Sequence, residues 1–151
     1  MSDEMRYPGS QPFADTALHR LLFKGREQEK KSLFHLILSE DLVVLYAKSG
    51  MGKTSLLNAG VFAPLRERDY LPVTARMSDP RGIGLIPSII GQVLEKAREP
   101  QVEAVNGEPQ NHLWPFFQAL ELWREDTLLT PVLILDQFEE LFTLVDPVAR
   151  R

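Results

Sequence analysis

The densest chemistry in the chain lies at Ala47-Lys48-Ser49-Gly50-Met51-Gly52-Lys53-Thr54. Glycines at positions 50 and 52 let the backbone fold tightly around an anion and turn successive N–H groups toward it at the head of a following helix. A lysine at the end of such a loop sets a positive charge against β- and γ-phosphates. A neighbouring threonine hydroxyl is a hard oxygen ligand for magnesium. Without an anion, Lys53 is badly placed, because a cation at a helix start opposes the helix dipole. The competing reading, a strand-to-helix turn with an exposed lysine, leaves that conflict unexplained. Ser49, Gly50, Met51, Gly52, Lys53, Thr54 and Ser55 are therefore assigned to phosphate binding.

A second chemical cluster closes the chain. Val132-Leu133-Ile134-Leu135 are four buried-type residues that end in Asp136, a carboxylate at the mouth of a strand. Asp136 suits magnesium, opposite Thr54, and the pair of stretches has the form of Walker A and Walker B elements. Glu139 and Glu140 follow at once, and one of them could orient an attacking water, Glu140 being the first candidate. The alternative for Asp136 is a helix N-cap, and for the two glutamates a stabilised first helical turn.

These groups need elements to hold them. Leu42-Val43-Val44-Leu45-Tyr46-Ala47 reads as a strand buried on both faces, ahead of the loop, and residues 53 to about 62 as the helix behind it, with Pro64 near its end. Residues 27–38 carry Leu33, Phe34, Ile37 and Leu38 at helical spacing. Residues 71–77 and 132–135 are further strand candidates, and 85–98 and 113–124 further helices. Residues 78–84 and 99–111 read as loops rich in glycine and proline. Before residue 17 the chain reads as an extended arm, with Tyr7 and Phe13 available to pin it. Alternating strands and helices give an α/β layered fold.

Trp114, Phe116, Phe117, Leu120 and Trp123 fall near one helical face, as core or as a docking surface. His19, His35 and His112 lack ligand spacing. Arg76, Arg81, Arg150 and Arg151 read as surface arginines, with a phosphate-sensing role as the alternative.

Composition narrows the class. The 151 residues carry 44% hydrophobic and 25% charged side chains and a net charge of −4, which argues against a broad nucleic-acid interface. The absence of cysteine excludes disulfides, thiolate catalysis and cysteine metal sites. The first residues lack the basic-then-apolar order of a secretory signal, and no apolar run approaches the ~20 residues of a membrane span, so a cytoplasmic setting is expected.

The residues resemble the STAND class of P-loop ATPases, in particular its bacterial "novel STAND" subtype. Tyr7-Pro8-Gly9-Ser10-Gln11-Pro12-Phe13 is similar to that family's YPGLRPF stretch, with Ser10-Gln11 in place of Leu-Arg. Phe23-Lys24-Gly25-Arg26-Glu27 resembles its FxGRE turn, residues 49–58 its SGxGKSSLLN loop, and residues 135–142 its LDQFEELF segment. Ala47 stands where the strict loop has glycine.

The resemblance implies a P-loop NTPase fold of the ASCE/STAND-like kind, a three-layer sandwich with a mostly parallel sheet between helices. It implies ATP and Mg2+ as cofactors, Gly25 and Arg26 at the adenine end of the site, and Glu140 as the hydrolytic acid with Glu139 second. Gly25 and Arg26 read equally well as a helix start with a solvated arginine. The later strand that separates the two Walker strands in such sheets is not among these residues. The expectation is an arm over 1–19, the N-terminal portion of an NTPase domain over 20–151, and further domains or subunits completing the ATPase. The implied role is a signalling or antiviral-defence switch, with nucleotide-dependent oligomerisation in a full-length form. Hydrolysis by this chain alone is left open, and a non-hydrolysing binding or interaction module is the alternative.

Overall fold

A computed structural model describes residues 8–77, 84–96, 102–107 and 111–138. Tyr7, Arg81, Glu139, Glu140, Arg150 and Arg151 lie outside the described residues, as does most of the expected loop over 78–84. The chain divides into two compact units, Met1–Arg68 and Asp69–Arg151.

The first unit is helical. Its arm leads into α1 (Ala17–Leu22), an element absent from the sequence reading. The Thr16 hydroxyl caps it by accepting the His19 N–H at 3.2 Å. Helix α2 spans Glu27–Ser39, with Glu27 and Glu29 in its first turn, where carboxylates complement the dipole.

After a glycine-punctuated loop, a continuous helical stretch runs through α3 (Lys53–Ser55), a π-helical turn (Leu56–Val61) and α4 (Phe62–Arg66). The helix thus extends past the expected end near residue 62, and Pro64 lies inside it. The widened turn, in which the Phe62 N–H reaches the Leu57 carbonyl, precedes Pro64 and eases the conflict between its ring and the carbonyl four residues back. Phe13, Phe23, Leu33, Leu56, Ala59, Val61, Phe62 and Leu65 are the buried apolar residues of this unit.

The expected strand at residues 42–47 does not form. These residues join no ladder among the described residues, and Leu42, Val44 and Tyr46 are 82%, 75% and 88% exposed. Their composition suits a buried strand, but a strand needs a neighbour to take its N–H and C=O groups, and none pairs with them among the described residues.

The second unit holds a four-stranded sheet in the order β1-β4-β3-β2, formed by β1 (Tyr70–Arg76), β2 (Glu103–Val105), β3 (Glu121–Arg124) and β4 (Thr127–Asp136). The sheet is mixed rather than mostly parallel: β1 and β4 run parallel, whereas β3 is antiparallel to both β4 and β2. Helix α5 (Leu85–Lys96) packs on β1, and the core joins Leu71, Val73 and Ala75 to Ile89, Ile90 and Val93 of α5, Phe116 of α6 (Leu113–Ala119), Leu122 and Leu129.

Two expectations fail here. Residues 113–124 are not one helix: α6 stops at Ala119, Leu120 turns extended (φ −68°, ψ 120°), and residues 122–124 pair with Leu129, Leu128 and Thr127 across a tight turn at Glu125 and Asp126. Helical spacing of the aromatics was genuine, but the ladder offered by β4 outweighs it. Trp123 accordingly sits on a strand, its indole N–H donating to Glu121 at 3.0 Å. Phe116 and Leu120 are core, and Trp114 is 73% exposed. Within the expected loop over 99–111, Glu103–Val105 forms β2 on the edge of β3.

Prolines in β1 and β4 fall where the parallel ladder can spare them. The Thr130 N–H donates to the Asp69 carbonyl and the Met77 N–H to the Asp136 carbonyl, so odd-numbered residues of β1 and even-numbered residues of β4 face one another. The missing donors of Pro72 and Pro131 therefore lie on the outward edges. β3 pairs with β4 only as far as Leu129, so residues 131–136 have a strand on one side alone among the described residues.

Candidate functional site

The phosphate-loop candidates belong to the first unit. The Met51 N–H donates to the Lys48 carbonyl at 3.3 Å, closing a four-residue turn with Gly50 third at φ 80°. That position requires positive φ in a turn of this kind, which favours glycine. A Cβ at Gly50 would meet nothing within 4 Å, so space over the loop is open there. Gly52, also left-handed (φ 77°, ψ 29°), leads into Lys53–Ser55, and its carbonyl accepts the Leu56 N–H at 2.9 Å. The N–H groups of Lys53 and Thr54 therefore precede the first intrahelical donor, Leu56. Open space, left-handed glycines and such amides fit a phosphate.

Lys53 folds back over this loop. Its Nζ donates to the Ala47 carbonyl at 2.9 Å, closing the turn of chain that begins the loop. From the other side Arg26 donates through Nη1 to the Met51 carbonyl at 3.0 Å, and a Cβ at Gly52 would stand 3.4 Å from the same nitrogen. The guanidinium is steadied by Glu29, which Arg26 Nε meets at 3.3 Å. A hydrogen bond from backbone N–H and then the Arg26 link hold the Glu29 carboxyl below its ordinary 4.5. With the folded value lowered, this link is intact at neutral pH and is lost only as pH falls through that lowered value. Gly25 (φ 86°) turns the chain into α2 just before Arg26. Arg26 thus touches the loop backbone, a placement the sequence reading, which set it at the adenine end or in solvent, did not foresee.

Ser55 is buried and its hydroxyl oxygen accepts the Phe13 N–H at 3.1 Å. Its side chain is engaged by the arm, leaving its backbone amide as the group available to an anion. Asn58, one helical turn on, donates through Nδ2 to the Phe13 carbonyl at 3.0 Å. Sequence reasoning gave Asn58 only as the last residue of the matched 49–58 motif and assigned it no role, although it lies three residues after Ser55, which is neighbour spacing on one helix face.

Asp136 belongs to the second unit, at the carboxyl end of β4 and in register with Arg76 at the end of β1. One carboxylate oxygen accepts the Gln137 N–H at 3.0 Å, and Gln137 is left-handed at φ 58°. Gln92 of α5 binds both backbone groups of Arg76, accepting from its N–H at 2.8 Å and donating to its carbonyl at 3.1 Å, which fixes this end of the parallel pair. The Arg76 side chain is exposed, in keeping with a surface arginine. The hydroxyl of Thr54 and carboxylate of Asp136 are hard oxygen donors of the kind Mg2+ prefers. No cluster of three or more histidine, aspartate or glutamate ligands occurs among the described residues.

The first unit carries a glycine-punctuated loop at the head of a helix and the second an α/β sheet with a carboxylate at a strand's end, features compatible with a nucleotide-binding NTPase. The family model described as Novel STAND NTPase 1 matches residues 7–151, and the chain belongs to that family. No curated protein and no solved structure matches the chain.

Proposed function

We propose that this chain binds ATP together with Mg2+ as the nucleotide-sensing part of a regulatory NTPase switch. The observation that carries this reading is Lys53, whose ammonium lies across a loop of left-handed glycines on the neutral Ala47 carbonyl. Phosphate oxygens are stronger acceptors for an ammonium than a carbonyl is, so ligand would displace that contact at little cost. The amides of residues 50–54 would hold the β-phosphate, Lys53 the β- and γ-phosphates, and Thr54 with Asp136 the metal. Bound Mg2+ would neutralise charge developing between the phosphates. Glu140, with Glu139 beside it, is proposed to orient the attacking water.

Nucleotide state would then set the arrangement of a larger signalling or defence protein, with other domains or subunits completing the ATPase. Preference for ATP over GTP follows from the family, since no guanine-reading NKxD-like tetrapeptide is present. Calorimetric titration with ATP and Mg2+ is expected to show saturable binding that Lys53→Ala weakens at least ~100-fold, as loss of a charge-assisted contact of about 3 kcal/mol would. Equal affinity in the variant would remove the phosphate-site reading.

A second reading is a nucleotide-binding module without turnover. It is favoured by residues 42–47, which join no ladder among the described residues and so do not brace the loop from a sheet. Tight ATP binding with no phosphate release over many hours would select it.

A further inference from the structure

We propose that Phe13, held by Ser55 and Asn58, is a positioning residue for the phosphate loop, so that the arm and the nucleotide site are energetically coupled. The inference rests on the phosphate-site reading of residues 47–54 and extends it to a segment some forty positions earlier in the chain.

Both backbone groups of Phe13 are taken by side chains of the helix behind the loop. Its N–H donates to Ser55 Oγ at 3.1 Å and its carbonyl accepts from Asn58 Nδ2 at 3.0 Å. Ser55 adjoins Thr54, the metal-ligand candidate, and lies two residues beyond Lys53, so the contact falls on the first turn that presents these groups. The Phe13 ring is buried against Phe23 and His19, with centroids 5.1 and 5.4 Å away, and the His19 Nδ1 accepts the Ala14 N–H at 2.6 Å. Asp15, two residues on, pairs with both Arg20 of α1 and Arg66 of α4, at the far end of the same helical stretch.

The arm is thus fixed to the loop helix at its start by neutral hydrogen bonds and at its end by an ion pair. A hydrogen-bond pair of this kind, one buried and one partly buried, fixes where a helix begins, because removing one partner leaves a largely desolvated group unpaired. The helical stretch here is weakened as an autonomous element by its π turn and Pro64, so its first turn depends on such external contacts. Force or binding on the chain ahead of Phe13 would act on the amides of residues 52–54 through Ser55. By reciprocity, a filled phosphate site would hold the arm more firmly.

The test uses the full chain and the probe ATP with Mg2+. Asn58→Ala and Ser55→Ala are each expected to weaken ATP binding about ten-fold, in line with the loss of one hydrogen bond shielded from solvent in whole or in part, and Ser55→Thr, which keeps the acceptor, to restore most of it. Hydrogen exchange at the Phe13 amide is expected to slow on adding ATP and Mg2+ in the natural sequence and to stop responding in Asn58→Ala. Thermal melts identify any variant that fails to fold, and the exchange response of the natural sequence is independent of all variants. If Lys53→Ala loses affinity while Asn58→Ala and Ser55→Ala do not, and exchange at Phe13 ignores ligand, the coupling is overturned alone. If all three variants keep full affinity, the phosphate-site reading falls and the coupling with it.

Discussion

Arg26 shows how a single side chain divides between two roles that sequence spacing alone cannot separate. A Gly-Arg-Glu turn reads equally as a helix start or as one wall of a nucleotide site. The structure sets the guanidinium on the Met51 carbonyl, with Glu29 behind it. The contact holds the loop from outside, where a lysine's single ammonium would not reproduce the fork that meets carbonyl and carboxylate together. Arg26→Ala is therefore expected to weaken ATP binding about five- to ten-fold with a change in melting temperature of no more than a few degrees, and Arg26→Lys to recover only part of the affinity. Parallel loss of affinity and of stability would assign the arginine to the fold instead. Lys53 was singled out by its motif because helix electrostatics made it anomalous without an anion. Asn58 was not, because a hydrogen bond to a backbone forty-five positions away leaves no local pattern.

Among the elements of the first unit, α2 packs closely on the π turn. A Cβ at Gly60 would stand 2.8 Å from Lys30 Cγ. That stem cannot readily yield, since the Lys30 ammonium donates to the Phe23 carbonyl at 2.6 Å and to Glu27 at 3.0 Å and lies 4.9 Å from the Phe23 ring centroid. Gly→Ala in a helix ordinarily gains up to ~1 kcal/mol, whereas overpacking costs about 1–3 kcal/mol. Gly60→Ala is thus expected to destabilise the protein by about 1 kcal/mol in urea unfolding, and a gain in stability would show that the crossing is loose. Helices α2 and α5 and strand β1 were legible because each carries its own periodicity and lies close to where spacing put it. The arm's Phe13 was legible too, as a large apolar residue with nowhere else to go. Element β3 was hidden, because Leu120 and Trp123 fit a helical face until β4 supplies a ladder. Residues 42–47 were misread for the converse reason: a strand's composition is local, but its existence depends on a partner strand.

The chain divides into two compact units, with the phosphate-loop candidates in Met1–Arg68 and Asp136 in Asp69–Arg151. No helix among the described residues is long and apolar enough to cross a membrane. Asp136 is proposed as an Mg2+ ligand because Mg2+ prefers hard oxygen donors, keeps water ligands and needs few protein groups. Asp136→Asn is expected to leave Mg2+-free ATP affinity unchanged and to abolish most of the gain that Mg2+ brings, measured by titration in EDTA and in magnesium. An undiminished magnesium effect would remove Asp136 from the site. The central claim, that residues 50–54 receive the phosphates, is tested most directly by amide NMR of the 15N-labelled chain during titration with ATP and Mg2+. The account predicts saturable shifts that are largest at Gly50, Gly52, Lys53 and Thr54. Saturable ATP binding that leaves those four amides unmoved would contradict it.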